Sequence, residues 1–104
     1  MVLKRGWAIQ AETRFKLKVQ EELKRIPFLW QFKTQQLCLL GIPDIIGCYK
    51  GKFFAWELKR NEKERPTRLQ AHVLASINLA GGVARVVHPG NLDESIKELI
   101  GPHP

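Results

Sequence analysis

Cysteine is nearly absent from this chain: Cys38 and Cys48 are the only two, and no Cys-x-x-Cys spacing links them. That excludes a disulfide framework. A small buried thiol accounts for Cys48 better than a ligand role does, and a reducing, cytoplasmic setting fits. No stretch approaches the ~20 uninterrupted apolar residues of a membrane span, and the Met1–Arg5 start is not followed by an apolar signal region. Internal repeats and low-complexity tracts are missing as well. Acidic residues are few, ten against seventeen Lys and Arg, for a formal net charge of +7. The imbalance is uneven. Residues 1–85 carry 16 basic and 7 acidic side chains, residues 86–104 one and three. Such a surplus selects a polyanionic partner, nucleic acid first and an anionic membrane surface second. At 104 residues the chain forms one domain with one core.

The most informative stretch is Gly41–Lys59. Ile45–Tyr49 and Phe53–Lys59 are rich in β-branched and aromatic residues, and Lys50-Gly51 between them suits a two-residue hairpin loop. With that loop Tyr49 faces Lys52, and without a bulge Asp44 falls opposite Glu57. Side chains directly opposite in an antiparallel pair share a face with Cβ atoms about 5 Å apart. Lys59, two residues beyond Glu57, points to the same face. Facing carboxylates repel, and packing gives no reason to place them so. A hard divalent cation does. Mg²⁺ takes oxygen ligands at about 2.0–2.1 Å and is commonly held by one or two carboxylates plus water and phosphate. It polarises a phosphoryl oxygen and lowers the pKa of bound water. Lys59 beside it could orient that water or stabilise charge on the phosphorane.

Pro43-Asp44 followed by Glu57-Leu58-Lys59 resembles the PD-(D/E)xK nuclease signature. The fuller set, Gly41-Ile-Pro-Asp44, Trp56-Glu-Leu-Lys59 and Gln70, is similar to the stand-alone virus-type replication-repair nuclease (VRR-NUC) domain, over roughly residues 12–87. The resemblance implies phosphodiester hydrolysis dependent on Mg²⁺ or Mn²⁺. It also implies a mixed sheet flanked by helices and, as in Holliday-junction-resolvase-like members, a homodimer. Asp44 and Glu57 would bind the metal with the Leu58 carbonyl. Glu12 is a candidate third carboxylate, because the family often carries a helix-one glutamate in an equivalent place; Glu22 is its rival. Gln70 would orient water or Lys59.

Taken in order, Ala8–Ile26 reads as a helix with Ala8, Glu12, Phe15, Val19, Leu23 and Ile26 along one side, stopped by Pro27. Glu12 could equally serve there as an early acid facing the helix dipole. Phe28–Thr34 alternates as a first strand, and residues 35–42 connect it to Pro43. Ile45, Tyr49, Phe54, Trp56 and Leu58 form the face opposite Asp44 and Glu57, a core face, so Trp56 reads as core and not as a base-stacking platform. A charged loop, Arg60–Arg65, leads to a helix opened by Pro66-Thr67. Thr67-x-x-Gln70 fits a capping box, which by itself could account for Gln70. His72 lies off that helix's apolar stripe. Gly81-Gly82 ends the helix, Val83–Val87 is a last strand, and Asn91 with Glu94 caps a last short helix. Residues 101–104 read as a frayed tail.

The expected fold class is therefore α/β, in the order αβββαβα, with a restriction-endonuclease-like arrangement of one domain over residues 1–104. The expected activity is a metal-dependent DNA endonuclease selective for branched DNA such as four-way junctions. Catalytic roles fall to Asp44, Glu57, Lys59 and Gln70, and phosphate contacts to Arg14, Lys18, Lys50, Lys52, Arg60, Lys63, Arg65 and Arg68. Two alternatives stay open: a nuclease of flap, nicked or linear duplex DNA, and a basic DNA-binding module without catalysis.

Overall fold

Lys50 (φ 48°) and Gly51 (φ 85°) both take left-handed backbone, the combination that a two-residue type I′ loop needs and that matches the twist of the strands it joins. The loop connects β2 (Ile45–Tyr49) to β3 (Lys52–Leu58). Their register runs without a bulge from Tyr49↔Lys52 to Ile45↔Trp56. The next position along the pair sets Asp44 against Glu57, as the spacing predicts. A computed structural model describes residues 2–35 and 40–101 of the chain, with side chains from residue 10 onward. Cys38, the middle of the connection at 36–39 and the tail at 102–104 lie outside the described residues.

The remaining elements are α1 (Val2–Lys24), β1 (Leu29–Lys33), α2 (Arg68–Leu79), β4 (Val83–Val87) and α3 (Leu92–Ile100), which gives the expected order αβββαβα. The four strands lie side by side as β1-β2-β3-β4. The first three run antiparallel to their neighbours, and β4 is parallel to β3, with α2 as the crossover that a parallel pair requires. The chain is thus a small α/β domain with a mixed sheet. No helix among the described residues is long and apolar enough to cross a membrane.

Strand alternation divides the sheet into two unequal faces. One presents Ile45, Phe54, Trp56, Leu58, Val83 and Val87 to Phe15, Val19 and Leu23 of α1 and to Leu92 and Leu99 of α3. Trp56 is fully buried there, edge-on to Phe54 with ring centroids 5.5 Å apart. Burying a side chain of this kind stabilises the fold by about 1.5–3 kcal/mol. On the other face Ala55 and Ala84 sit under Leu74 of α2, with Ile46, Ile77 and Val86 around them. Three helices cannot cover both faces of four strands: α2 lies chiefly over β3 and β4. The β1 side of that face is left open, with Trp30 60% and Phe32 50% exposed.

Element ends differ from expectation in ways that have local causes. Helix α1 begins at Val2 and not at Ala8, because Leu3, Lys4 and Arg5 are good helix formers that need no apolar stripe to propagate the helix. It ends at Lys24, where the Arg25 and Ile26 amides bond to the Glu22 and Leu23 carbonyls in a tightened turn. Pro27 disfavours helical backbone at Ile26. Strand β1 is shorter than residues 28–34, since Phe28 takes φ 65°. The cap expected of Asn91 does not form: its side chain makes no capping bond to α3. Asn91 Oδ1 instead accepts from the His88 amide at 2.8 Å while Nδ2 donates to the Val86 carbonyl at 3.0 Å. The side chain closes the turn before the helix and so is not free to cap it.

Candidate active site

Asp44 is delivered to the end of the hairpin by a tight local clamp. The Thr34 hydroxyl donates to the Pro43 carbonyl at 2.6 Å, and the Thr34 amide donates to the Asp44 carbonyl at 2.9 Å. Upstream, Gly41 takes φ 75°, and a Cβ there would stand 2.6 Å from the Leu69 side chain. Only glycine lets this segment turn while packed that closely on α2. The Asp44 carboxylate then reaches β3, where the Leu58 amide donates to its Oδ2 at 2.8 Å. Its other oxygen lies 3.7 Å from Nζ of Lys16 on α1.

Glu57 is 3% exposed. Its Oε2 is 3.4 Å from Lys59 Nζ, and its Oε1 is buried without any hydrogen-bond partner. Burial pushes the Glu57 carboxyl up to about 7, and the facing Asp44 carboxylate adds to the shift; Lys59 opposes it. A buried carboxylate with a free oxygen, beside another carboxylate, is a costly arrangement for a merely structural pair. Lys59 is also tied to α2, with Nζ donating to Gln70 Oε1 at 3.4 Å. That same oxygen accepts from the Thr67 amide at 2.9 Å, and the Gln70 amide donates to the Thr67 hydroxyl at 3.1 Å. The capping box is complete, so Gln70 both caps α2 and holds Lys59, and the two readings of this glutamine are compatible.

The structure therefore brings Asp44, Glu57, Lys59 and Gln70 together, with Leu58 contributing its amide. It does not bring in a third carboxylate. Glu12 is exposed, and the described residues contain no group of three Asp, Glu, His or Cys placed to hold an ion. Glu22 lies farther along α1, in a cleft it shares with Asp93, Glu94 and Lys97 of α3. The group that α1 does send to Asp44 is Lys16, a residue the sequence pattern alone does not single out. Its signal was its position beside Phe15 and one turn after Glu12, at the border of the buried stripe.

The expected phosphate-contacting residues separate into groups. Arg14 and Lys18 are exposed on α1. Lys63, Arg65 and Arg68 are exposed on the loop and first turn leading to Gln70. Arg60 is engaged by Glu64 through its backbone amide at 2.7 Å and its guanidinium at 2.6 Å, which holds the Glu64 carboxyl below its usual range and raises the Arg60 guanidinium. Lys50 and Lys52 sit at the turn, about 17 Å along the hairpin from Glu57 by strand rise, with Lys50 Nζ 5.6 Å from the centroid of the Phe28 ring.

Asp44 and Glu57 fit a hard cation: both are oxygen donors, and the unpartnered Glu57 Oε1 lacks the ligand such an ion supplies. Two carboxylates leave the remaining coordination positions to water, backbone and substrate. Comparison of the chain with protein-family models, with curated proteins and with solved structures gives no match.

Proposed function

We propose that this chain is a metal-dependent DNA endonuclease of the PD-(D/E)xK type, VRR-NUC-like, acting on branched DNA. The observation that carries the reading is the buried Glu57 carboxylate, facing Asp44, flanked by Lys59 and left with one oxygen unpartnered. Asp44, Glu57 and the Leu58 carbonyl would hold Mg²⁺ or Mn²⁺. Bound there, the ion supplies Lewis-acid polarisation of the phosphoryl group and lowers the pKa of water. The chain's own groups do the positioning. The Leu58 amide fixes Asp44, Gln70 aims Lys59, and the Lys59 ammonium lies where it can stabilise negative charge growing on the phosphate oxygens as water attacks phosphorus. The surplus of Lys and Arg supplies affinity for the phosphate backbone. One chain carries one such site, and paired incisions on two strands need a second, which a twofold homodimer provides.

The deciding experiment incubates four-way junction, flap, nicked and linear duplex DNA side by side with the protein and Mg²⁺, using Asp44→Asn as the reference. Cleavage of branched substrates by the wild type alone is the expected result. Equal cleavage by Asp44→Asn would remove this site from the chemistry. Binding of every substrate with cleavage of none would leave a basic DNA-binding module.

A further inference from the structure

Strand β1 turns its aromatic side to solvent. Trp30 and Phe32, two residues apart, are 60% and 50% exposed, and their rings are within 13° of parallel with centroids 6.2 Å apart. They pair across the sheet with Cys48 and Ile46, and Cys48 pairs in turn with Phe53, itself 42% exposed. Ile46 is the next residue after Asp44 on the same sheet face, about 7 Å along the strand. The open aromatic strip therefore begins one pleat away from the candidate active site.

We infer that Trp30 and Phe32 form a stacking platform for unpaired bases of the strand that continues from the site. Every nucleobase presents a π-face, so two parallel exposed rings hold unpaired bases without reading sequence. Charge fits this occupant. Between the turn and the site this face carries Trp30, Phe32, Ile46, Cys48, Phe53 and Ala55, with no acid before Asp44 and Glu57. Its site end holds cations, Lys59 beside Glu57 and Arg65 and Arg68 around the start of α2. The acids Asp93, Glu94 and Glu98 are on α3, which packs on the opposite face. Apolar rings leading to a cationic end match a stacked polyanion. A second copy of a +7 chain would meet the same cations with its own.

This inference rests on the nuclease reading and narrows it: the preferred branch has an unpaired strand, a flap or an opened arm, and not only fully paired arms. The test measures binding in EDTA, so that cleavage plays no part. Labelled short oligo-dT and a blunt duplex are titrated with the full chain, with Trp30→Ala, with Phe32→Ala and with the conservative Trp30→Phe. Circular dichroism checks folding, and sedimentation of each protein gives its mass. Expected is a loss of about ten-fold or more in oligo-dT affinity for each alanine variant, unchanged duplex affinity and mass, and recovery in Trp30→Phe. Oligo-dT binding that is indifferent to both alanines would overturn the platform. So would alanine variants that halve the sedimenting mass while keeping oligo-dT affinity, which would assign the face to a second copy. A platform that behaves as expected on a protein that cleaves no DNA would sink the nuclease reading alone.

Discussion

The amide of Leu58 donates to Oδ2 of Asp44 at 2.8 Å, so the strand that carries Glu57 also fixes the carboxylate opposite it. The two acids are therefore set by one hairpin, whose register is determined at its far end by Lys50 and Gly51. A side-chain pair held this way is preorganised: little motion is needed to bring both oxygens to one ion.

On the nuclease reading, the carboxylates and the lysine contribute in different ways. Asp44→Ala and Glu57→Ala should abolish Mg²⁺-dependent cleavage while DNA affinity in EDTA holds or rises, because a negative charge facing phosphate is gone. Lys59→Ala should reduce turnover by about 10²-fold or more, the scale of losing one preorganised charge stabiliser. Single-turnover rates with saturating protein separate these effects from binding. Near-wild-type turnover in any of the three variants takes that residue out of the mechanism.

The donor set also selects among metals. Two carboxylates without a thiolate or imidazole should accept Mg²⁺ and Mn²⁺, whereas Ca²⁺, larger and content with irregular coordination, should support binding without appreciable cleavage. Titration of each ion into EDTA-treated protein, followed by DNA cleavage, reads this directly. Cleavage that persists in excess EDTA contradicts the pair as a metal site.

The hairpin was legible because its turn and its register follow from two residues and a period of two. Lys50-Gly51 fixes the loop, and from there Asp44 and Glu57 can be counted into opposition. The role of α1 was not legible to the same degree. The stripe Phe15, Val19, Leu23 names the buried side of that helix, but not how far it slides along its axis relative to the sheet. Glu12 and Lys16 stand one turn apart on the same side, and the slide brings Lys16 to Asp44. Strand β1 shows a similar limit. Its alternation separates Trp30 and Phe32 from Gln31 and Lys33, yet which side a helix covers depends on packing of elements distant in sequence. Asn91 shows a third limit: capping and turn closure draw on the same side chain, and the turn takes it.

Glu57 should make the metal-free protein sensitive to pH. Its folded pKa is about 7, against an ordinary 4.5, so the folded state favours the protonated carboxyl. The resulting stability is complete below the unfolded value and is lost as pH rises through about 7. Thermal unfolding in EDTA should therefore show a falling melting temperature from about pH 5 to about pH 8. Glu57→Gln keeps the shape and removes the titration, so its profile should be flatter, with a gain of as much as about 3 kcal/mol at the alkaline end. Parallel profiles for wild type and variant would mean that Glu57 is not held at a raised pKa.

Gln70 joins two functions through one oxygen, and they can be separated. Its Oε1 accepts from both the Thr67 amide and Lys59 Nζ. Thr67→Ala removes the hydroxyl half of the capping box but leaves Gln70 able to reach Lys59. It should cost about 1 kcal/mol of stability with little change in cleavage once the protein is folded. Gln70→Ala loses its side of the cap and also frees Lys59, so it should combine a similar stability loss with a cleavage defect milder than that of Lys59→Ala. Chemical denaturation and single-turnover cleavage on the same samples provide both readouts. If the two variants lose stability and activity in the same proportion, Gln70 acts only as a cap, and Lys59 is positioned by Glu57 alone.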